Sequence, residues 1–293
     1  MAEAVALKPV EDCIAGRISP EVAVARLLLE GSDADAILAA TVSDHPAVVA
    51  IHALAARRKD ALDALAAQVA TDRTAGMVAG GQVAPSTPAE SIARTAAFFD
   101  HAVGHSPEAS VALYSLGDPA ILRAATAEIV AWLEAQGLLR TTSDVLDLGC
   151  GIGRVSAAMA LRCRSVLALD VSAAMVAEAT HRLSGLANVE VRHTEGDGLD
   201  GLSPAAFDLV LAVDSFPYII QASPDLALRH ASGAARALRP GGAFCVLNLS
   251  YRGDSAADRG DAAAWAAATG MRLTHDGGRP FRLWDGTAFV LER

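Results

Sequence analysis

The sequence predicts an α/β domain built on a parallel sheet covered on both faces, preceded by a module of helices alone. Three observations carry this. From residue 145 onward, short, largely apolar runs alternate with helical stretches; residues 1 to about 80 are rich in Ala, Leu and Val without strand-like alternation; and a glycine-rich turn joins the first apolar run to the next helix. Strands buried on both faces read as continuous apolar runs, and pairing them in parallel requires crossovers, usually helical.

The helical module comes first. Ser19-Pro20-Glu21 opens a helix, with Ser as N-cap and Pro at the first helical position, and Val22, Ala25, Leu28 and Leu29 form its apolar stripe. A second helix follows Ser43-Asp44-His45-Pro46 through Val48, Ile51, Leu54, Leu62 and Leu65, with a break near Lys59. Short amphipathic helices are marginal alone, so these stripes must be buried within a bundle, on the core or in a homodimer contact. The segment from Gly76 to Pro88, GMVAGGQVAPSTP, reads as a linker. The expected domains are therefore a helical module at 1–80, a linker with a connecting helix at 81–117, and the α/β domain at 118–293.

Within the connector a helix spans Glu90 to Val103, and Asp118-Pro119 opens another that runs from Ala120 to Gln136 and stops at Gly137. The apolar runs then follow in order: VLDLG (145–149), SVLALD (165–170), VEVRH (189–193), FDLVLAVD (207–214) and AFCVLNL (243–249). Helices at 154–163, 173–184 and 224–238 separate them, the last entered through Ser223-Pro224.

With 293 residues, 52% hydrophobic and 20% charged, the chain falls in the globular range. Its net charge of -10 opposes a phosphate backbone, which speaks against a nucleic-acid partner. Cys13, Cys150, Cys163 and Cys245 form no CxxC pair, so neither a disulfide framework nor a zinc cluster is expected, and a reducing, cytoplasmic setting fits. No basic, apolar leader opens the chain, and no apolar run is long enough to span a membrane.

The sharpest signal is Asp147-Leu148-Gly149-Cys150-Gly151-Ile152-Gly153-Arg154, where the first strand meets a helix. Glycines let a ligand press against the main chain at the carboxyl ends of the strands. A dinucleotide fingerprint would need Gly at position 154, which is Arg, and a carboxylate at Asp147 would repel a pyrophosphate while suiting a ligand with ammonium and sulfonium groups. Asp170 closes the second strand, 23 residues after Asp147, where a carboxylate can accept from both ribose hydroxyls. Glu195-Gly196-Asp197-Gly198 follows the third strand, Asp214-Ser215-Phe216-Pro217-Tyr218 the fourth, and Leu238-Arg239-Pro240-Gly241-Gly242 turns the chain into the fifth.

With these motifs in register, residues from about 118 to 293 resemble a class I S-adenosylmethionine-dependent methyltransferase of the kind that modifies small molecules. The resemblance implies a Rossmann-like seven-stranded sheet of order 3-2-1-4-5-7-6 with strand 7 antiparallel, S-adenosyl-L-methionine as cofactor and S-adenosyl-L-homocysteine as product. It places Asp147, Gly149, Gly151 and Gly153 along the methionine part, Asp170 at the ribose and Asp197 at the adenine, with Cys150, Val171, Gly196 and Gly198 also among the cofactor-binding residues. Asp214 or Ser215, both counted as cofactor-binding, would stand beside the methionine and the acceptor, and Met271 to Arg293 would form the antiparallel pair with Trp284-Asp285-Gly286 at or near its turn.

Other residues are expected to be structural. Asp208 starts the fourth strand, away from the carboxyl edge, and Cys150 sits between glycines where small-residue packing outweighs nucleophilic chemistry. His101 and His105 share a helix face without a third ligand, so no metal is expected. None of His193, His230 and His275 occupies a position from which a general base can be derived. An N/D-P-P-Y/F motif after the fourth strand is absent, which favours a small-molecule acceptor of O or N type. Tyr114, Phe216, Tyr218, Tyr251 and Trp284 are the candidate acceptor-contacting aromatics. Two alternatives stay open: a protein or carrier-bound acceptor recruited by the N-terminal helices, and a protein that binds S-adenosylmethionine without transfer.

Overall fold

A computed structural model describes residues 7–74 and 87–293. The expected linker therefore lies outside the described residues as far as position 86. The helical elements at the start are α1 (Lys8–Ile14), α2 (Pro20–Leu29), α3 (Ala34–Ala40), α4 (Pro46–Arg57) and α5 (Lys59–Thr74), then α6 (Pro88–His105), α7 (Pro107–Val111), a 3-10 turn at Leu113–Ser115 and α8 (Pro119–Ala135). There follow β1 (Asp144–Leu148), α9 (Arg154–Ala160), β2 (Ser165–Asp170), α10 (Ala173–Leu183), β3 (Val189–His193) and β4 (Phe207–Val213). The last elements are α11 (Phe216–Ala222), α12 (Pro224–Ala237), β5 (Leu238–Leu247), α13 (Ser255–Thr269), β6 (Arg272–Gly278) and β7 (Ala288–Glu292).

The described residues form two compact units. One comprises 7–74, Ser106–Ala125 and Phe281–Asp285; the other comprises 87–105, Thr126–Pro280 and Gly286–Arg293. The division does not run at a single chain position: it falls inside α8, and α6 belongs with the sheet.

In the first unit, Ser19 Oγ accepts from Val22 N at 3.2 Å, so the N-cap read from the sequence is formed. Val22, Leu27 and Leu28 of α2, Ile37 of α3, Ile51 and Leu54 of α4 and Leu62 of α5 are buried. Each such side chain contributes about 1.5–3 kcal/mol relative to exposure. Leu29, expected on the same stripe, remains 40% exposed because it is the last residue of α2, where the packed turns run out. The break expected near Lys59 is present between α4 and α5. Buried Asp12 accepts from Lys8 and from Arg17 Nη2 at 2.6 Å, and these cations hold its carboxyl below the usual range. Tyr114 and Trp284, offered as acceptor contacts, are both buried here in a stack that includes Phe281.

The second unit is built on a seven-stranded sheet of order β3-β2-β1-β4-β5-β7-β6. The first five strands pair in parallel, and β7 runs antiparallel to both β5 and β6. Leu146, Val210, Ala212, Phe244, Val246 and Phe289 from the sheet pack with Ala227, Ala231 and Ala234 of α12 and Trp265 of α13. Gly233 lets α12 lie close to the loop between β3 and β4, where an added Cβ would come within 2.8 Å of Leu199 Cβ. At the amino edge Asp208 accepts from Asp144 N and Arg239 Nη1, both at 2.8 Å, which is the structural role expected of it.

Three local readings need correction. The stretch Leu238–Gly242 is already part of β5 rather than a turn before it, because a register shift in its pairing with β4 absorbs the Pro-Gly-Gly segment. The helices α11 and α13 were not expected. α11 is a single-layer element of two turns begun by Pro217 next to its start, and α13 is capped by Asp254, whose carboxylate accepts from Ala256 N and Ala257 N at 3.0 Å.

Candidate active site

At the carboxyl ends of β1 and β2 the chain makes three successive positive-φ glycines, Gly149 (76°), Gly151 (54°) and Gly153 (77°). This backbone suits glycine because an L side chain clashes there. Space also forbids a side chain: a Cβ at Gly149 would stand 2.3 Å from Ser215 Cβ, and one at Gly153 would stand 2.7 Å from Leu183 Cδ1. The loop is anchored by Gly149 N and Cys150 N, which both donate to Leu169 O, at 2.8 and 2.9 Å.

Two enclosed carboxylates flank this loop. Asp147 accepts from Ser156 Oγ at 2.5 Å, and burial pushes its carboxyl up to about 6 despite that bond. Asp170 accepts from Gly151 N at 2.8 Å through one oxygen and from Ser172 N at 2.9 Å through the other; burial raises its carboxyl while these amides pull it down. A carboxylate has about four lone-pair directions, so Asp170 keeps accepting capacity beyond the two amides. It thus shapes the glycine loop as well as facing the edge. A cationic ligand next to this pair would offset the burial of two like charges.

The loop after β3 continues the same edge. Gly196 has φ 72°, and a Cβ there would meet Val171 Cγ1 at 2.6 Å and Ile92 Cγ2 at 3.2 Å. Asp197 is exposed, its carbonyl accepting from Arg229 Nη1 at 3.3 Å, and Gly198 lies beside the Arg229 stem. Helix α6 runs along this side as well. Asp100 accepts from Ser172 Oγ at 2.6 Å and Ala174 N at 2.9 Å, at the start of α10, and Phe99 meets Tyr218 of α11 edge-on at 5.2 Å. From the sequence this helix is expected as a connector. Its signal was present: Thr87 and Glu90 form a reciprocal capping box, and Ile92, Ala96, Phe99 and Val103 repeat at helical spacing.

The ends of β4 and β5 carry a different arrangement. Ser215 Oγ donates to Leu148 O at 2.6 Å and so ties the end of β4 to the glycine loop. Asp214 and Asn248 are non-glycine residues in left-handed backbone, φ 57° and 70°, and Asn248 Nδ2 donates to Asp214 Oδ1 at 2.8 Å. Tyr251 OH donates to the same oxygen at 3.1 Å, and Tyr218 meets Tyr251 edge-on at 5.7 Å. Asn248 had no signal that spacing or composition could supply.

Other sequence candidates fall elsewhere. Phe216, offered as an acceptor contact, is fully buried among Phe244, Trp265 and His230; the ring points into the core beneath α11, which removes it from the acceptor wall. Burial pushes the Cys150 thiol well up, as suits packing rather than a nucleophile. His230 is buried with Nδ1 2.9 Å from Leu226 O, His193 lies 3.0 Å from Val171 O, and His275 lies 3.1 Å from Gln136 Oε1. Among the described residues no group of three His, Cys, Asp or Glu side chains could hold a metal, and no helix is long and apolar enough to cross a membrane.

A sheet of this order, with an acid-flanked glycine loop at its carboxyl edge, defines a nucleoside-cofactor-binding α/β domain whose cradle suits a cation. Residues 145–242 match the family described as a methyltransferase domain. The chain carries a class I S-adenosylmethionine-dependent methyltransferase domain. It is 40% identical over 112 residues to ribosomal RNA large subunit methyltransferase G of Streptomyces avermitilis, covering 37% of this chain and 29% of that protein. It is 32% identical over 122 residues to a ubiquinone biosynthesis O-methyltransferase of Pseudomonas syringae, covering 41% of this chain and 50% of that one. The chain thus spans half or less of these curated relatives. Among solved structures, Haemonchus contortus phosphoethanolamine N-methyltransferase 1, in complex with phosphoethanolamine and S-adenosylhomocysteine, is 21% identical over 55% of this chain and 32% of that one, with a TM-score of 0.47.

Proposed function

We propose that this protein transfers the methyl group of S-adenosylmethionine to an oxygen or nitrogen of a small organic molecule. The observation that carries the reading is the pair of enclosed carboxylates, Asp147 and Asp170, set on either side of a loop that only glycine can make. In this reading Asp147 with Gly149, Cys150, Gly151 and Gly153 holds the methionine part, Asp170 and Val171 the ribose, and Gly196, Asp197 and Gly198 the adenine. Bound there, the cofactor supplies a methyl group already activated on a sulfonium. The protein's part is then alignment and exclusion of water, and alignment alone is worth on the order of 7–11 kcal/mol. Asp214 and Ser215 stand where the methionine end meets the acceptor, with Tyr218 and Tyr251 behind them. The roles offered for Tyr114 and Trp284 rest on the sequence alone.

An RNA acceptor is the second reading, favoured by the likeness to an rRNA methyltransferase. The net charge of -10 weighs against it, because affinity for RNA rests on neutralised phosphates. Labelled S-adenosylmethionine incubated with the full chain and either a small-molecule extract or total RNA distinguishes them. Label is expected in the small-molecule fraction; label confined to RNA would replace the first reading with the second. Label in neither, with S-adenosylhomocysteine bound, would favour a binding protein that performs no transfer.

A further inference from the structure

Four aromatic side chains meet in a row along the carboxyl edge of the second unit. Phe98 and Phe99 of α6 lie 5.0 Å apart at 68°, Phe99 and Tyr218 of α11 lie 5.2 Å apart at 76°, and Tyr218 and Tyr251 lie 5.7 Å apart at 85°. Each contact has the edge-to-face geometry that aromatic rings prefer. The chain holds only 7 Phe, 3 Trp and 3 Tyr, so this row takes up a large share of its rings. It joins three separate elements: α6, whose Asp100 caps the start of α10 after β2; α11, which follows β4; and the loop after β5. The row therefore crosses the edge from the β2 side to the β5 side. Within it, Tyr218 stands three residues after Ser215, which is tied to the glycine loop.

These rings are not core. Phe216, Phe244, Phe289 and Trp265 of the same unit are buried, whereas Phe98, Phe99 and Tyr218 are half-buried and Tyr251 is 46% exposed. A tyrosine at a surface ordinarily hides its ring and turns its hydroxyl to water. Here the order is reversed: Tyr251 OH is turned to Asp214 Oδ1, and burial pushes the Tyr218 and Tyr251 hydroxyls well above the ordinary phenol range. The surface left to solvent is ring. A contiguous run of exposed aromatic surface marks a place that a ligand covers. The adjoining carboxylates are directed at the protein, Asp100 Oδ1 accepting from Ser172 and Ala174 and Asp214 Oδ1 from Asn248 and Tyr251. A neutral ring therefore fits the row better than an ammonium, which would need a carboxylate turned toward it.

We infer that the acceptor is a planar aromatic molecule, a phenol or an aryl amine by class, whose ring continues the row formed by Phe99, Tyr218 and Tyr251. This deepens the reading of the site as a methyl-transfer centre and rests on it. The ligand ring meets the row as its rings meet one another, edge to face, which a saturated ring of the same outline cannot do. Held there, its hydroxyl or amino substituent is brought to the part of the edge where Ser215 meets the glycine loop. Phe99 is in this account a specificity-determining residue, and it gives α6 a direct part in choosing the acceptor.

The test uses the full chain saturated with S-adenosylhomocysteine and matched pairs of probes: phenol and cyclohexanol, 2-naphthol and decahydro-2-naphthol, aniline and cyclohexylamine. Ring-labelled phenylalanine and tyrosine are followed by carbon NMR during each titration. At least one aromatic probe is expected to bind about tenfold tighter than its saturated partner and to shift the Phe99, Tyr218 and Tyr251 signals together. Phe99→Leu keeps an apolar side chain of similar reach and removes the ring. It should cut that preference to about threefold or less while S-adenosylhomocysteine affinity stays within about twofold. Should that variant not fold, Tyr251→Met takes its place, with the same loss of preference expected. Equal affinity within every pair, tighter binding of cyclohexylamine than of aniline, shifts confined to rings outside the row, or a preference unchanged in a folded variant would each overturn the inference. If wild type fails to bind S-adenosylhomocysteine at all, it is the underlying reading of the site that falls.

Discussion

The two halves of the carboxyl edge are built by different means. On the β1–β2–β3 side, position is set by main chain: glycines in left-handed backbone, and a carboxylate, Asp170, clamped by two amides. On the β4–β5 side it is set by side chains: Asp214, Asn248 and Tyr251 hold one another. A cradle made of backbone tolerates almost no change and presents one shape. A cluster made of side chains can be altered without unfolding the sheet, which is where acceptor specificity can vary on a common fold.

The contrast can be broken most severely at Gly149. Gly149→Ala adds a Cβ that would stand 2.3 Å from Ser215 Cβ, at φ 76°. Left-handed backbone and overpacking together are expected to cost about 2–5 kcal/mol, read as a lowered midpoint in chemical denaturation. An alanine variant as stable as wild type would show that the loop is not so confined.

Asp170→Ala comes next. It should weaken S-adenosylhomocysteine binding by about 1.5–3 kcal/mol in calorimetric titration. Because the carboxylate also holds Gly151 N and Ser172 N, the variant should lose stability as well, beyond what a surface ligand contact would produce. An unchanged affinity in a folded variant would remove Asp170 from the cofactor's partners.

Asp147 sharpens the comparison through pH. Its carboxyl is raised by burial to about 6, above the roughly 4 expected in the unfolded chain, so the folded state binds the extra proton between those values. Stability attributable to this residue is present below about 4 and declines as pH rises through about 6, by on the order of 2 kcal/mol. Ligand binding runs the other way, since the α-ammonium of the ligand, placed beside Asp147 in this reading, prefers the ionised carboxylate. S-Adenosylhomocysteine affinity should therefore rise between pH 5 and 7 in wild type and stay flat in Asp147→Asn. The same slope in both would assign the pH dependence elsewhere.

The smallest effect is expected at α6. Asp100→Ala removes the acceptor for Ser172 Oγ and Ala174 N and should cost about 1 kcal/mol, as losing a cap does, with faster amide exchange at the start of α10. Exchange unchanged there would leave α6 as a passenger on this edge.

How far the sequence carried differs between the halves for a physical reason. Positive φ favours glycine, and here a side chain would also clash at Gly149, Gly153 and Gly196, so these glycines and Gly151 are written locally, as are Asp147 and Asp170 at strand ends. The seven-stranded order followed from the resemblance, and the sheet has it. The β4–β5 cluster joins residues 34 and 37 positions apart through loops that obey no spacing rule, so Asn248 went unseen and Tyr251 was named only as an aromatic. Phe216 shows the converse error: an aromatic beside a strand end reads the same whether it faces the pocket or, as here, the core. The packing role of α6 is not legible from a helix placed at Glu90 to Val103 in the connector, because its Thr87–Glu90 capping box and apolar repeat mark a helix start and an apolar face without saying what that face meets.

The most direct test is a crystal structure of the full chain with S-adenosylhomocysteine. Ribose hydroxyls are expected on the Asp170 carboxylate, the methionine part along Gly149–Gly153 beside Asp147, and the sulfur facing Asp214 and Tyr218. Ribose away from Asp170, or the sulfur turned away from the ends of β4 and β5, would contradict it.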